Sequence, residues 1–336
     1  MTGRERVKAS LNFQKPDRIP RDLWALPYIC LFRKADLDSI LSQFPMDIGL
    51  SEISLNFTSD QLKLTETIGE YIDDWGSIWY VGEPGVWGEV KKPVLDDYTK
   101  LNDFKPPYHL ITKRDRNIIN KHCQNSDKFM LSHITARPFE RLQFLRGTEN
   151  LFLDLAEGSN KLLNLLDIVD EFFLKDIEWW CGTDVDGIFM MDDWGSNNGL
   201  LINPKLWKSI FKPLYKKYCE MIHDSGKYVF FHSDGNIEEI FADFIEVGID
   251  AINSQIFIMD MESLASKFKG KITFWGEIDR QYALPFGTEH DVEVSVNKVR
   301  SLFDDGKGGL IAQCEWGKDN SFKNVEAVYK TWEKGI

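Results

Sequence analysis

Six short apolar runs, each ending on polar residues and most followed by an amphipathic stretch, constrain this chain more than any other feature. They are KFMLSHI from residue 128, DGIFMMD from 186, KYVFFHS from 227, DAINSQI from 250, KITFWGE from 271 and GGLIAQC from 308. Short runs rich in Val, Ile, Phe and Met suit strands buried on both faces. The stretches between them carry helix punctuation. Residues 203–226 open on Asn203 as a cap with Pro204 at the first helical position and close at Gly226. Residues 237–248 and 262–270 close in the same way, at Gly248 and Gly270, and residues 291–306 and 324–335 continue the helical pattern. Alternating strands and helices predict a parallel α/β fold. No GxGxxG follows a first strand, so the dinucleotide-binding version gains no support. The remaining large option is a (β/α)8 barrel of the TIM type, with DIGLSEIS from residue 47 as an early strand. Residues 73–95 read as a β-hairpin with Gly turns, inserted over one mouth of the barrel. The expected organisation is one barrel domain over 1–336, elaborated at residues 55–125.

Charge narrows the function classes. The formal net charge is 40 − 53 = −13, opposite to the basic footprint of a nucleic-acid or anionic-membrane surface. No apolar run approaches the ~18 residues of a membrane span. The start, MTGRERVKASLNFQKPDRIP, is polar and lacks a signal-peptide core, so a cytoplasmic location is expected. Five cysteines without a CxxC argue against a disulfide framework and leave metal binding or nucleophilic chemistry for any that has a task.

In barrels of this kind the site forms where the strands end. Asp192, Asp193, Trp194 and Asn197 follow one run, His232 and Asp234 another, Asn253 and Gln255 a third, Glu277 and Arg280 a fourth, and Cys314 closes the last. A mixed N, O, S set with an open position is the pattern of catalytic zinc. The expected ligands of Zn²⁺ are therefore His232, Glu277 and Cys314, with Asp234 as an alternate or supporting ligand. Each residue also has an ordinary reading: a hydrogen-bonded loop His, a buried Cys, a Glu277–Arg280 salt bridge. Of Asp192 and Asp193, neighbours on a strand, at most one faces the pocket, as proton donor or substrate-orienting group; the ordinary reading is that one of them caps a following turn. Asn197, Asn253, Gln255 and His133 are candidate substrate contacts. So are Trp194, Trp79 and Tyr80, as an apolar wall that also includes Trp75 and Trp87, unless these aromatics simply pack the hairpin onto the barrel.

Three blocks, RERVKASLNFQKPDRIPRDLW, DDWGSNNGLLINPKLWKSIFKPLYKK and FFHSDGNIEEIFADFIEVGIDAINSQ, resemble the uroporphyrinogen decarboxylase superfamily. The resemblance implies a barrel, frequently dimeric. Decarboxylases of that family carry an RQAGR-type segment whose arginines bind substrate carboxylates; here the corresponding stretch is RDLWALPYICLFRKAD. The branch of zinc methyltransferases that work with corrinoid proteins is the better likeness. Its coenzyme M enzymes use His-x-Cys and a distant Cys as zinc ligands; His232 and Cys314 match in kind and spacing, and Asp234 stands where the middle Cys would be. The resemblance therefore implies methyl transfer between a small methylated substrate (an ether, alcohol or amine, a methoxyaromatic ring suiting the aromatics) and a corrinoid protein as partner. The alternatives are a decarboxylase-like activity and a non-catalytic binding barrel.

Overall fold

A computed structural model describes residues 1–51 and 66–334. Residues 52–65, which include the end of the early strand and the start of the 55–125 insertion, lie outside the described residues, as do the last two of the chain. The strands are β1 (Arg21–Ala25), β2 (Ile48–Leu50), β3 (Gly69–Ile72), β4 (Ile78–Val81), β5 (Glu89–Lys92), β6 (Phe129–Ile134), β7 (Gly187–Met191), β8 (Gly195–Ser196), β9 (Gly199–Leu200), β10 (Tyr228–Ser233), β11 (Ala251–Ser254), β12 (Thr273–Trp275) and β13 (Leu310–Trp316). Eight of them form one parallel sheet in the order β1-β13-β12-β11-β10-β7-β6-β2. This is the (β/α)8 architecture expected from the alternation, with helices in the connections.

The two end strands meet through Asp47. Its backbone N–H donates to the Arg21 carbonyl at 2.9 Å, and its carboxylate accepts from the Arg21 N–H at 2.8 Å. Arg6 and Arg18 hold the same carboxylate at 2.5 and 2.6 Å, so the Pro-Asp-Arg segment of the sequence serves as a clasp across this seam.

Strand alternation divides the core in two. Ile48, Phe129, Leu131, Phe189, Phe230, Ala251, Trp275 and Ile311 point inward and pack together with Trp24. Met130, Ile188, Met190, Val229, Phe231, Ile252, Phe274, Ala312, Cys314 and Trp316 point outward into the helical layer. The segment from Asn203 forms two helices, Pro204–Ile210 and Lys212–Asp224, broken at Phe211 just before Pro213; Asn203 caps the first through the Lys205 N–H. Gly248 ends the helix Phe241–Val247, as expected, and does so in the left-handed conformation.

The expected hairpin is a three-stranded antiparallel sheet, β3-β4-β5. Trp75 packs against Phe172 and Phe104, Trp79 against Phe144, and the Ser77 hydroxyl donates to the Phe144 carbonyl. The far turn pairs Glu83 with Lys318, in the loop after β13. Among the described residues no helix is long and apolar enough to cross a membrane.

Candidate metal centre

Two loops at the C-terminal end of the barrel cross at a pair of glycines. The loop after β7 passes Gly195 against Gly235 of the loop after β10. A side chain on Gly235 would lie 2.0 Å from the Gly195 backbone, and one on Gly195 would lie 2.5 Å from Asn236. Gly235 also sits at φ +82°, open to glycine at no steric cost. Backbone bonds from Gly195 to the Asp234 carbonyl and from Asn236 to the Ser196 carbonyl, at 3.0 and 2.8 Å, fasten the crossing. Asp193 and Asp234, one on each loop, are thereby held beside His232 at the end of β10. Ligand atoms of these three residues all lie within 4.8 Å of one another, the one such group of three or more among the described residues.

His232 is buried, and its Nδ1 lies 2.6 Å from Asn253 Oδ1. The Asn253 amide nitrogen donates to the Trp275 carbonyl at 2.6 Å. Since that carbonyl only accepts, the amide oxygen of Asn253 must face the imidazole, and Nδ1 must carry the hydrogen. Nε2 is left to face Asp234 Oδ1 at 3.3 Å and Asp193 Oδ1 at 3.6 Å. A ring nitrogen aimed at two carboxylates, with the other nitrogen anchored by an acceptor, is the arrangement of a metal-binding histidine. The Trp24 ring closes against the imidazole edge-on at 5.1 Å.

Arg280 reaches into the same cluster from the loop after β12. Its Nη2 donates to Asp234 Oδ1, its Nη1 donates to Glu315 Oε1 at 2.8 Å, and Glu277 Oε1 lies 3.5 Å from its Nε. Four carboxylates thus converge on one imidazole and one guanidinium, an excess of negative charge that shows in the protonation of the group. Burial of His232 works against its charged form, yet Asp234 and Asp193 outweigh it and raise the imidazole to about 9. Burial, reinforced by Glu140 and Asp234 and opposed by His232, pushes Asp193 up to about 6. Burial lifts Glu277 to about 8 over the opposition of Arg280, with Asp234 and Glu315 adding to the rise. Asp234 is held well below the usual carboxylate range, because His232 and Arg280 together overcome its burial. A divalent cation answers the same demand for positive charge, so the donor set fits a metal.

The adjacent aspartates do different work. Asp192 is fully buried on the outward side of β7. Its two oxygens accept from the N–H groups of Phe139 and Glu140, both at 2.8 Å, at the start of the helix Pro138–Arg146, and from the Tyr215 hydroxyl at 2.6 Å. It caps a helix and braces the outer layer; Asp193 is the one that faces the mouth.

Several other sequence candidates fall away from this cluster. Cys314 lies on the outward face of β13 with Ala312 and Trp316, packed in the helical layer, while Gln313 and Glu315 take the inward positions. Its thiol is pushed far above its ordinary value by burial, with Glu315 and Glu277 adding to the rise. His232, Glu277 and Cys314 do not form a group of mutually close ligand atoms. Trp194 is fully buried, stacked on Phe139 at 4.3 Å and donating to Tyr215, and so belongs to the outer layer rather than to a pocket wall. Trp79 is tied to Asp73 and Phe144 within the antiparallel sheet, and Tyr80 lies half exposed under Lys91. His133, on β6, is held down at about 4 by burial and the charge of Arg114. Nearer the site, Gln255 accepts from the Gly235 N–H and Asn197 pairs with Gln281, the neighbour of Arg280. Both hold loops in place. Sequence reasoning does not reach Glu315 as a site residue; its signal is its position two residues from Gln313, on the inward face.

A barrel of eight parallel strands with a cluster of residues able to hold a metal at its C-terminal mouth defines the class. The chain belongs to the uroporphyrinogen decarboxylase (URO-D) family, whose model matches residues 88–334. No curated protein matches the sequence significantly. Its structure is similar to that of a methyltransferase from Methanosarcina mazei, with a TM-score of 0.73 at 14% identity over 99% of this chain and 98% of that one; at that identity the likeness concerns the fold. A glycosylated endo-β-1,4-xylanase from Gloeophyllum trabeum aligns over 96% of this chain and 99% of its own at 10% identity and a TM-score of 0.43.

Proposed function

We propose that this chain is a zinc-dependent methyltransferase, moving a methyl group between a small methylated substrate and a corrinoid carried by a partner protein. The observation that carries the metal part is the orientation of His232: Asn253 fixes Nδ1, and Nε2 is directed at Asp193 and Asp234. Zinc accepts such nitrogen and carboxylate donors with a position left for substrate. When bound, the ion supplies Lewis-acid stabilisation of charge developing on the leaving heteroatom. His232, Asp193 and Asp234 would hold it. Glu277, buried and raised to about 8, is placed in the same cluster as a group able to carry a proton at neutral pH. Trp24 and Trp275 form an aromatic floor beside the imidazole.

The methyl-transfer part is supported by the resemblance of the sequence to the corrinoid-linked branch and by the structural likeness to the Methanosarcina mazei methyltransferase. Decarboxylation of a polyanionic substrate is disfavoured by the arginines of the region. Arg280 is engaged by three carboxylates, Arg137 by Glu140, and Arg141 by Asp73. Each of the three has a carboxylate partner, so none stands as an unneutralised cation.

The test combines elemental analysis of the purified chain with absorbance assays of corrinoid methylation, using methoxyaromatic compounds, methanol and methylamines as donors. Stoichiometric zinc lost in His232→Ala, together with donor-dependent methylation, is the expected result. A metal-free wild type inactive towards every donor would overturn the proposal.

A further inference from the structure

The geometry points to Arg280 as an internal cation that competes with the metal for Asp234 and so sets the affinity of the centre. This rests on the metal reading above and goes beyond it. Asp234 Oδ1 serves two partners: it lies 3.3 Å from His232 Nε2 and accepts from Arg280 Nη2. An ion bound by Asp193, His232 and Asp234 must occupy the space in front of His232 Nε2 and draw on the same carboxylate. A guanidinium cannot shed its charge. It either stays and repels the ion at close range or gives up Asp234.

The surroundings provide for its withdrawal. Glu315 already accepts from Nη1 at 2.8 Å, and Glu277 stands 3.5 Å from Nε. Losing Asp234 therefore leaves the guanidinium between two carboxylates instead of stranded as a buried charge. The loop that carries Arg280 is anchored independently of the ion. Asp279 accepts from the backbone N–H groups of Gln281 and Tyr282, both at 3.0 Å, and the Gln281 amide donates to Asn197 at 2.9 Å. The movement is thus confined to one side chain. Asp234 exchanges one cation for another, and the net affinity for metal is the direct affinity reduced by the hold of Arg280.

The experiment is zinc binding by the full-length chain, measured by competition with a chromophoric chelator. Wild type is compared with Arg280→Gln, Arg280→Met, Arg280→Lys and His232→Ala. Removing the positive charge is expected to tighten zinc binding by roughly tenfold to a hundredfold in both the Gln and Met variants. The lysine variant keeps the charge and is expected to stay within about threefold of wild type. Either neutral variant, if folded, suffices. Unchanged or weaker zinc binding in a folded neutral variant overturns the inference, since Arg280 would then orient Asp234 rather than compete for it. Failure of the metal reading itself looks different: wild type and His232→Ala would bind zinc equally poorly.

Discussion

His232 donates from Nδ1 to the amide oxygen of Asn253 at 2.6 Å, and that bond determines which ring nitrogen is offered to the mouth of the barrel. Asn253 is itself oriented by the Trp275 carbonyl, so a main-chain atom of β12 sets the tautomer of a side chain on β10. Asn253→Leu removes the acceptor while keeping similar bulk. Zinc affinity is expected to fall about ten- to a hundredfold, the usual cost of losing the group that orients a ligating histidine. Chelator competition measures it, with circular dichroism confirming that the barrel persists.

Cys314 provides a sharp contrast. Packed outward against the helical layer, it does not share the cluster of His232, Asp193 and Asp234. Cys314→Ser is expected to retain zinc while losing some stability from a buried hydroxyl, about 1–3 kcal/mol. Loss of zinc from a folded Cys314→Ser protein would restore the cysteine as a ligand.

Asp192 and Asp193 are expected to separate stability from metal binding. Asp192→Ala strips two N–H groups and the Tyr215 hydroxyl of their acceptor, and is expected to cost about 2–4 kcal/mol in urea unfolding. Asp193→Ala frees the Asp234 N–H alone, and is expected to cost less, about 1 kcal/mol, while weakening zinc binding at least about tenfold.

Asp22 gives a pH signature away from the metal ligands. Its carboxylate is buried in the barrel and accepts from the indole N–H groups of Trp24 and Trp275 at 3.0 and 2.9 Å; burial, only partly offset by these bonds, raises it to about 6. A carboxyl raised on folding holds its proton more tightly in the native state, so its ionisation penalises the fold. The penalty is absent below pH ~4, grows as pH rises to ~6, and is constant above, at about 3 kcal/mol. Asp22→Asn keeps an acceptor for the indoles and cannot ionise. Stability curves of the two proteins should therefore diverge between pH 4 and 6, with the Asn variant the more stable at neutral pH. Parallel curves would refute this.

Gly235→Ala is expected to disrupt the loop crossing. The new methyl would lie 2.0 Å from the Gly195 backbone at a φ of +82°, and since backbone must move, Asp193 and Asp234 separate. Zinc titration should show affinity lost by more than about tenfold, with the eight-stranded sheet intact.

The sequence carries most of this fold because buried parallel strands are compact apolar runs. Seven of the eight barrel strands coincide with runs visible in the sequence, the short β2 among them. The eighth, β1, escapes because Arg21 and Asp22 interrupt its apolar character; both are buried, Arg21 by the seam and Asp22 by two indoles. His232 was legible for the simple reason that a polar residue ends a wholly apolar strand. The direction of Cys314 was not. In a strand apolar on both faces, composition does not reveal which alternate residues point inward, and a cysteine suits either side. The aromatic residues were ambiguous for a related reason, since Trp194 beside two aspartates resembles a pocket wall until its stacking on Phe139 places it in the outer layer. Of the three carboxylates around Arg280, only Glu277 is near it in sequence; Asp234 follows β10 and Glu315 stands on β13, a coincidence in space that spacing along the chain does not encode.

The seam between β1 and β2 is bridged by Asp47, through one backbone bond to the Arg21 carbonyl and through its carboxylate. Three arginines meet on that one carboxylate, Arg6 and Arg18 through their side chains and Arg21 through its backbone N–H. The loops carrying Asp193 and Asp234 follow β7 and β10, on the far side of the ring from that seam. The side chains that join the ends of the wall are therefore separate from those that line the candidate metal centre, and neither set borrows a residue from the other.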